Sequence, residues 1–313
     1  MARLGSVHCP IPIFDLPCPY TLNTYHWTPQ SELANRIKDA TIILTTTIRL
    51  SAEVPTPHIS HNLQLSVIMA SGTDCVDKAA CQTRGITICN CPGINIDSVS
   101  EHSTSAMRVD PGIETEWKTN GTLHPRLRIS DGKPPLLCGQ ETLGILGYGA
   151  VGRRVETLAR ALGMKVIVSD HKGVVPREGR VSFERFLEES TVLVLCLPRS
   201  AETVNLISTA EFRRMSSQAL LINDSRGGIV DEHALLDAVK QGFISGAVVD
   251  VFANEPVGRG GSPLISRETA AEGLNLLVNP HLAWYSGTTL QNLQDGVKCT
   301  VEMWVGGKTI NRI

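Results

Sequence analysis

No stretch of this chain reaches the ~18 uninterrupted apolar residues that a membrane-crossing helix needs. Nor does it carry a run of like charges: 29 basic residues stand against 31 acidic ones, for a formal net charge of -2. No global field therefore draws it to nucleic acid or to an anionic membrane. The first residues, MARLGSVHCPIPIF, hold an arginine but no continuous apolar core, and their prolines interrupt a signal-peptide helix. Internal repeats and low-complexity segments are lacking as well. These absences lead to the expectation of a soluble cytoplasmic protein with neither a nucleic-acid nor a membrane partner.

The paired C-x-x-C spacing of structural zinc sites is missing too, although there are 9 cysteines. The densest group, Cys75, Cys81, Cys89 and Cys91, has the wrong spacing, so no metal is expected. Several cysteines lie in apolar strand-like runs, where a reduced thiol behaves as a small hydrophobe. Asn120-Gly121-Thr122 spells a glycosylation sequon, which without a secretory signal reads as a turn. What is present is the composition of a globular protein: 313 residues, 42% hydrophobic and 19% charged. That is enough chain for two domains, or for one large one.

From 142 onward, short β-branched or leucine-rich runs recur at 142–147, 164–169, 192–197, 219–223, 246–251 and 274–278, with helix-like segments between most of them. This alternation predicts a parallel, doubly wound α/β sheet buried on both faces. Asp231 is placed to cap a helix over EHALLDAVKQ with Gly242 to stop it, and Ser182 to start a short acidic helix. The segment 255–273 reads as a surface loop. The first hundred residues carry the same alternation less regularly, with strands expected at 40–47, 63–71 and 85–90, and the spacing over 286–308 predicts a final helix.

Chemistry concentrates at strand ends. In LGILGYGAVGRRV, Gly147, Gly149 and Gly152 form G-x-G-x-x-G between a strand and a helix, where bare backbone lets a pyrophosphate approach the amides and the positive helix end. Asp170 ends the next strand, near the ~20-residue spacing expected of the carboxylate that holds an adenosine ribose. It disfavours the extra phosphate of NADP, although His171 and Lys172 follow it directly. Three more strand ends present Arg226 in INDSRGGIVDE, Asp250 with Glu255 in VVDVFANEP, and His281 in VNPHLAWYSG. A guanidinium at such a place suits a carboxylate or a polarised carbonyl. A histidine beside apolar residues is more often packing than chemistry, and only its company argues otherwise.

With these segments in order, alongside SGTDCVD, NCPGINIDSVSEH, CLPRSAETVNLI and GKTINRI, the chain resembles the D-isomer-specific 2-hydroxyacid dehydrogenases from about residue 40 onward. The resemblance implies a Rossmann NAD-binding domain over 105–287 and a smaller flavodoxin-like substrate domain over 1–104, completed by 288–313, with the active site in the cleft between them. It implies Arg226, Glu255 and His281 as catalytic residues. The expected NAD contacts are Gly147, Gly149, Ala150, Val151, Gly152, Asp170, Leu197, Pro198, Thr203, Asp224, Ser225 and Asp250. Substrate would meet Ser71, Gly72, Arg226 and Trp284, with Ser286-Gly287 as the return hinge. Asp250 has a blander reading as a strand-end turn former, and Pro198 as a strand terminator.

The implied reaction moves a hydride between NAD and a small 2-oxo or D-2-hydroxy acid of the hydroxypyruvate/glycerate or glyoxylate type, in a homodimer. A corepressor-like dinucleotide-binding protein is the alternative. Formate dehydrogenation fits less well, because those relatives carry glutamine where Glu255 stands, and phosphoglycerate dehydrogenation would leave no room for the regulatory domain often attached. Two departures stand out. Pro111 and Gly112 cut short the helix after the S-V-S-E-H segment, and Asp224 replaces a residue usually small or apolar; its carboxylate is expected to favour the oxidised cofactor.

Overall fold

A computed structural model of the chain describes residues 1–4, 11–25, 28–46, 48–106, 136–258 and 260–313. The expectations placed on 107–135, including the helix shortened at Pro111 and Gly112 and the sequon at Asn120, lie outside these residues. Two compact units emerge: Met1–Asn95 with Tyr285–Ile313, and Ile96–Trp284. The helix Ile96–Ala106 goes with the second, where it packs on the helix Ala150–Ala161.

The first unit is a five-stranded parallel sheet of β1 (Ala2–Leu4), β2 (Asn23–Tyr25), β3 (Ile42–Thr45), β4 (Leu65–Ile68) and β5 (Thr87–Cys89), in the order β2-β1-β3-β4-β5. This is the flavodoxin-like order. Every residue of β3 and β4 is buried, as a parallel strand covered on both faces requires. The periodicity does not reveal β1 and β2, three residues each, because two alternations are too few to stand out. The helix Gly287–Val305 starts at Ser286, whose hydroxyl accepts from the Thr289 amide, and it buries Leu293, Val297 and Val301 along one face. Beyond it the terminus returns to the sheet, where the Ile313 amide donates to Ile88 O.

The second unit contains β6 (Thr142–Leu146), β7 (Lys165–Ser169), β8 (Val192–Leu195), β9 (Leu220–Asn223), β10 (Gly246–Val249) and β11 (Leu276–Val278), all parallel, in the order β11-β10-β9-β8-β6-β7. Side chains alternate between the faces. Leu193, Leu195, Leu221, Ala247 and Val249 enter one core cluster, and Val192, Val194, Leu220, Ile222 and Val248 the other. From β6 the chain steps outward to β7 and then returns to the other side of β6 at β8. That reversal opens a crevice at the carboxyl ends of β6 and β8, where open α/β sheets bind ligands.

Local signals are obeyed: Asp231 accepts from the His233 and Ala234 amides, Ser182 accepts from the Arg185 amide, and Gly242 adopts φ 70°. One expectation is corrected. The presumed loop 255–273 contains a 3-10 turn, Pro263–Ile265, and a short helix, Arg267–Ala271, because Pro263 fits a first helical turn and the Ser262 and Ser266 hydroxyls accept from the Leu264 and Thr269 amides. Among the described residues no helix is long and apolar enough to cross a membrane, and no three His, Cys, Asp or Glu gather as for a metal. Cys81, Cys89 and Cys91 are buried cysteines outside any disulfide; burial pushes the Cys81 thiol up to about 11, far from thiolate chemistry.

Candidate active site

The glycine loop closes over the crevice between β6 and β8. Gly147 has φ 96°, and a Cβ built on it would lie 2.5 Å from the Cys196 carbonyl oxygen; a Cβ on Gly152 would lie 2.4 Å from the Gly147 oxygen. Both positions need glycine for the protein's own packing. Gly149 differs, because nothing lies within 4 Å of a Cβ there. It is the N-cap of Ala150–Ala161 and no side chain caps that end, so the first amides, including those of Ala150 and Val151, remain for an anion. Open space over bare amides at a helix N-terminus fits the pyrophosphate of a dinucleotide.

Asp170, at the end of β7, is almost fully buried, and its carboxylate is already engaged. Arg177 donates from Nε and Nη2 at 2.8 Å each, and the His171 and Arg177 amides donate at 3.0 Å. The guanidinium holds this carboxyl well below the usual carboxylate range. A ribose diol has to share an acceptor that the chain also uses to order 171–177, and Arg177 offsets part of the charge that would repel a 2′-phosphate. Sequence reasoning passed over Arg177.

Leu197 lines the opposite wall, with Cδ2 3.0 Å from where a Gly147 Cβ would stand. The Thr203 hydroxyl is spent on its own turn, accepting from the Ser200 amide at 2.7 Å and donating to Pro198 O at 2.9 Å. Ser225 donates from its hydroxyl to Asn223 Oδ1 at 2.8 Å.

Further along the row of strand ends, His281 and Glu255 meet within reach of the charge of Arg226. His281 Nδ1 and Glu255 Oε2 are 2.7 Å apart, and the other Glu255 oxygen accepts from the Phe252 amide at 2.9 Å. With Nδ1 committed to the carboxylate, Nε2 is the nitrogen that can exchange a proton with a ligand. Burial works against a charged imidazole here, but the hydrogen bond and charge of Glu255, with the charge of Asp250, outweigh burial and the opposing charge of Arg226, so the His281 pKa is raised. Burial would likewise raise Glu255, but its bond to His281, that residue's charge, the Phe252 amide and Arg226 bring it below its ordinary value. The His281 side chain is still 37% exposed, open enough for a ligand to reach it.

Backbone geometry fixes the histidine. His281 adopts φ 57°, its amide donates to Asp250 O at 2.8 Å, and its carbonyl accepts from Trp284 Nε1 at 2.8 Å. The Asp250 carboxylate accepts from the Leu282 and Ala283 amides at 2.8 and 2.9 Å. Asp250 thus ties β10 to the histidine loop. Gly227 makes the arginine loop fit, since a Cβ there would lie 1.7 Å from Phe252 O. Arg226 Nη1 donates to Ser225 O at 2.7 Å.

Asp224, at the end of β9, has its own network. Oδ2 accepts from the Ser103 hydroxyl at 2.7 Å and pairs with His102 Nδ1 at 3.0 Å, while Asn279 Nδ2 meets His102 Nε2 at 3.0 Å. Sequence reasoning misses His102, because nothing in the S-V-S-E-H segment marks a partner 122 positions away. In the first unit, the Ser71 hydroxyl lies 3.0 Å from Asn95 Oδ1 and 3.2 Å from Cys91 O, and Asn90 Nδ2 donates to Ser71 O at 2.8 Å. Gly72 follows in the same loop after β4.

Comparison with known proteins points the chain to one family. Residues 128–283 fit the model of the D-isomer specific 2-hydroxyacid dehydrogenase, NAD binding domain. The chain is 36% identical over 303 residues to a glycerate dehydrogenase of Methylorubrum extorquens, covering 95% of this chain and 93% of that one. It is 30% identical to a putative 2-hydroxyacid dehydrogenase of Haemophilus influenzae, covering 96% and 94%. Among solved structures it is similar to D-lactate dehydrogenase from Aquifex aeolicus complexed with NAD and lactic acid, with a TM-score of 0.77, 26% identity, and coverage of 92% and 90%.

Proposed function

The chain belongs to the D-isomer-specific 2-hydroxyacid dehydrogenases, NAD-dependent oxidoreductases, and from that premise we propose that it interconverts hydroxypyruvate and D-glycerate, with Arg226, Glu255 and His281 as its catalytic residues. The observation that carries this reading is the 2.7 Å pair of His281 and Glu255, with the charge of Arg226 acting on both. The glycerate dehydrogenase relative supports the substrate. We assign the cofactor role to the unit Ile96–Trp284 and the name of substrate domain to the other. A cytoplasmic homodimer accords with the resemblance.

Bound NADH supplies a hydride to the ketone carbon. The carbonyl oxygen then needs a proton, and His281 delivers it from Nε2, passing from imidazolium to imidazole. Glu255 keeps the ring charged until that moment and holds its orientation through Nδ1. Arg226 binds the substrate carboxylate and stabilises charge growing on the carbonyl oxygen. Trp284, fastened to the His281 carbonyl, walls the pocket. In the reverse direction neutral His281 removes the hydroxyl proton.

A panel of 2-oxo acids with NADH tests this. Hydroxypyruvate is expected to give the highest kcat/KM, with glyoxylate next and pyruvate lower. No NADH consumption with any of them, alongside tight dinucleotide binding, would overturn it in favour of a binding protein.

A further inference from the structure

The buried carboxylate of Asp224 is half satisfied. Its side chain is 1% exposed, and Oδ2 has two partners while Oδ1 has none among the described residues. A buried acceptor left unmade is costly, so such an atom marks a place where a ligand completes the site. Its position says which ligand. The carboxyl ends of β6, β8, β9 and β10 run in a row through Gly147, Cys196, Asp224 and Asp250. A dinucleotide held at Gly149 and reacting beside His281 has to cross the end of β9. This step rests on the function proposed above.

We propose that Asp224, with His102 as its proton-carrying partner, is a specificity-determining pair that biases this protein toward the oxidised dinucleotide. The oxidised ring is cationic and the reduced ring neutral, so a carboxylate beside the ring's path favours the former. His102 decides how much charge that carboxylate presents. With its proton on Nδ1, neutral His102 donates to Asp224 and accepts from the Asn279 amide, and the pair carries one negative charge. A second proton on the ring cancels it. The Asp224 hydrogen bond raises the His102 pKa against the lowering by burial, and the charges of Asp224 and Asp250 add to the rise. The preference therefore weakens below that pKa and is complete above it.

Among the described residues, the groups facing the pair are Asp250 at the end of β10, Cys196 at the end of β8, Asn279 after β11, and Ser103 on the same helix as His102. His281 titrates one loop away and its proton also weighs against a cationic ring, so the His102 contribution is read as the difference between wild type and His102→Gln.

The test is fluorescence titration of the whole protein with NAD and with NADH, without substrate, at about pH 6 and about pH 8.5. At the higher pH, Asp224→Asn is expected to shift the ratio of the two dissociation constants toward NADH by about tenfold, or about 1.4 kcal/mol, and by less at the lower pH. His102→Gln is expected to keep the high-pH ratio and to lose part of its pH dependence. An unchanged ratio in Asp224→Asn, or a wild-type pH dependence in His102→Gln, overturns the proposal. Should Asp224→Asn fail to fold, His102→Gln alone decides. Wild-type protein that binds neither dinucleotide brings down the proposed function and this inference together, an outcome distinct from an unchanged ratio.

Discussion

Replacing His281 with alanine is expected to lower 2-oxo acid reduction by about 10²–10⁴-fold, the usual range for a lost general acid, while affinity for NADH, whose ring is neutral, stays unchanged. Because His281 sits at φ 57°, alanine also strains the backbone. His281→Asn separates the two effects, since asparagine tolerates that conformation and retains the amide bond to Asp250 O but cannot deliver the proton. Both variants are expected to lose turnover alike. Near-normal rates in the asparagine variant would remove the histidine from the mechanism.

His281 and Glu255 are together expected to set the pH dependence. In the proposed mechanism reduction needs protonated His281, so kcat/KM for the 2-oxo acid is expected to fall as pH rises through a pKa held above the ordinary histidine value, and oxidation of the hydroxy acid to rise over the same interval. Glu255→Gln removes the charge that holds the imidazolium, leaving burial and Arg226 to lower the pKa. The descending limb for reduction then moves to lower pH. A limb that stays in place would show that another group sets it.

The second large effect concerns the glycine loop, where the three glycines are expected to fail in different ways. Gly149→Ala puts a methyl group into open space, so thermal stability should be unchanged while the dissociation constant for NAD rises about 10–100-fold, or about 1.4–2.8 kcal/mol. Gly147→Ala meets Cys196 O at 2.5 Å from a backbone at φ 96°. There the left-handed conformation costs about 1–2 kcal/mol and overpacking about 1–3 more, so the melting temperature itself falls. Calorimetry and NAD titration of both variants check this. A Gly149 variant that melts early with normal affinity would contradict the assignment of the loop to pyrophosphate.

Much of this site was legible because strand ends are marked in sequence by a change of residue type. A buried parallel strand stops where Asp170, Asp224 or Asp250 follows an apolar run, and a doubly wound sheet brings those ends to one edge. Hence Arg226, Glu255 and His281 could be named before the 2.7 Å contact of the last two was seen. Partnership was not legible. Nothing in the spacing says that Arg177 folds back on Asp170, or that His102 finds Asp224 across 122 positions, because such pairs depend on helix packing and loop path. The two strands at the start of the chain were hidden by their brevity, and the turns within 255–273 by glycine and proline that also begin short helices.

The central claim is that this chain transfers a hydride to the ketone carbon of a small 2-oxo acid and adds the proton to its oxygen through His281. It is tested most directly with hydroxypyruvate and NADH deuterated at the transferable position, followed by mass spectrometry and chiral analysis of the product. Glycerate of D configuration carrying deuterium at C2 is expected, and almost none of it from His281→Asn. Glycerate without deuterium, or an equal yield from His281→Asn, would contradict it.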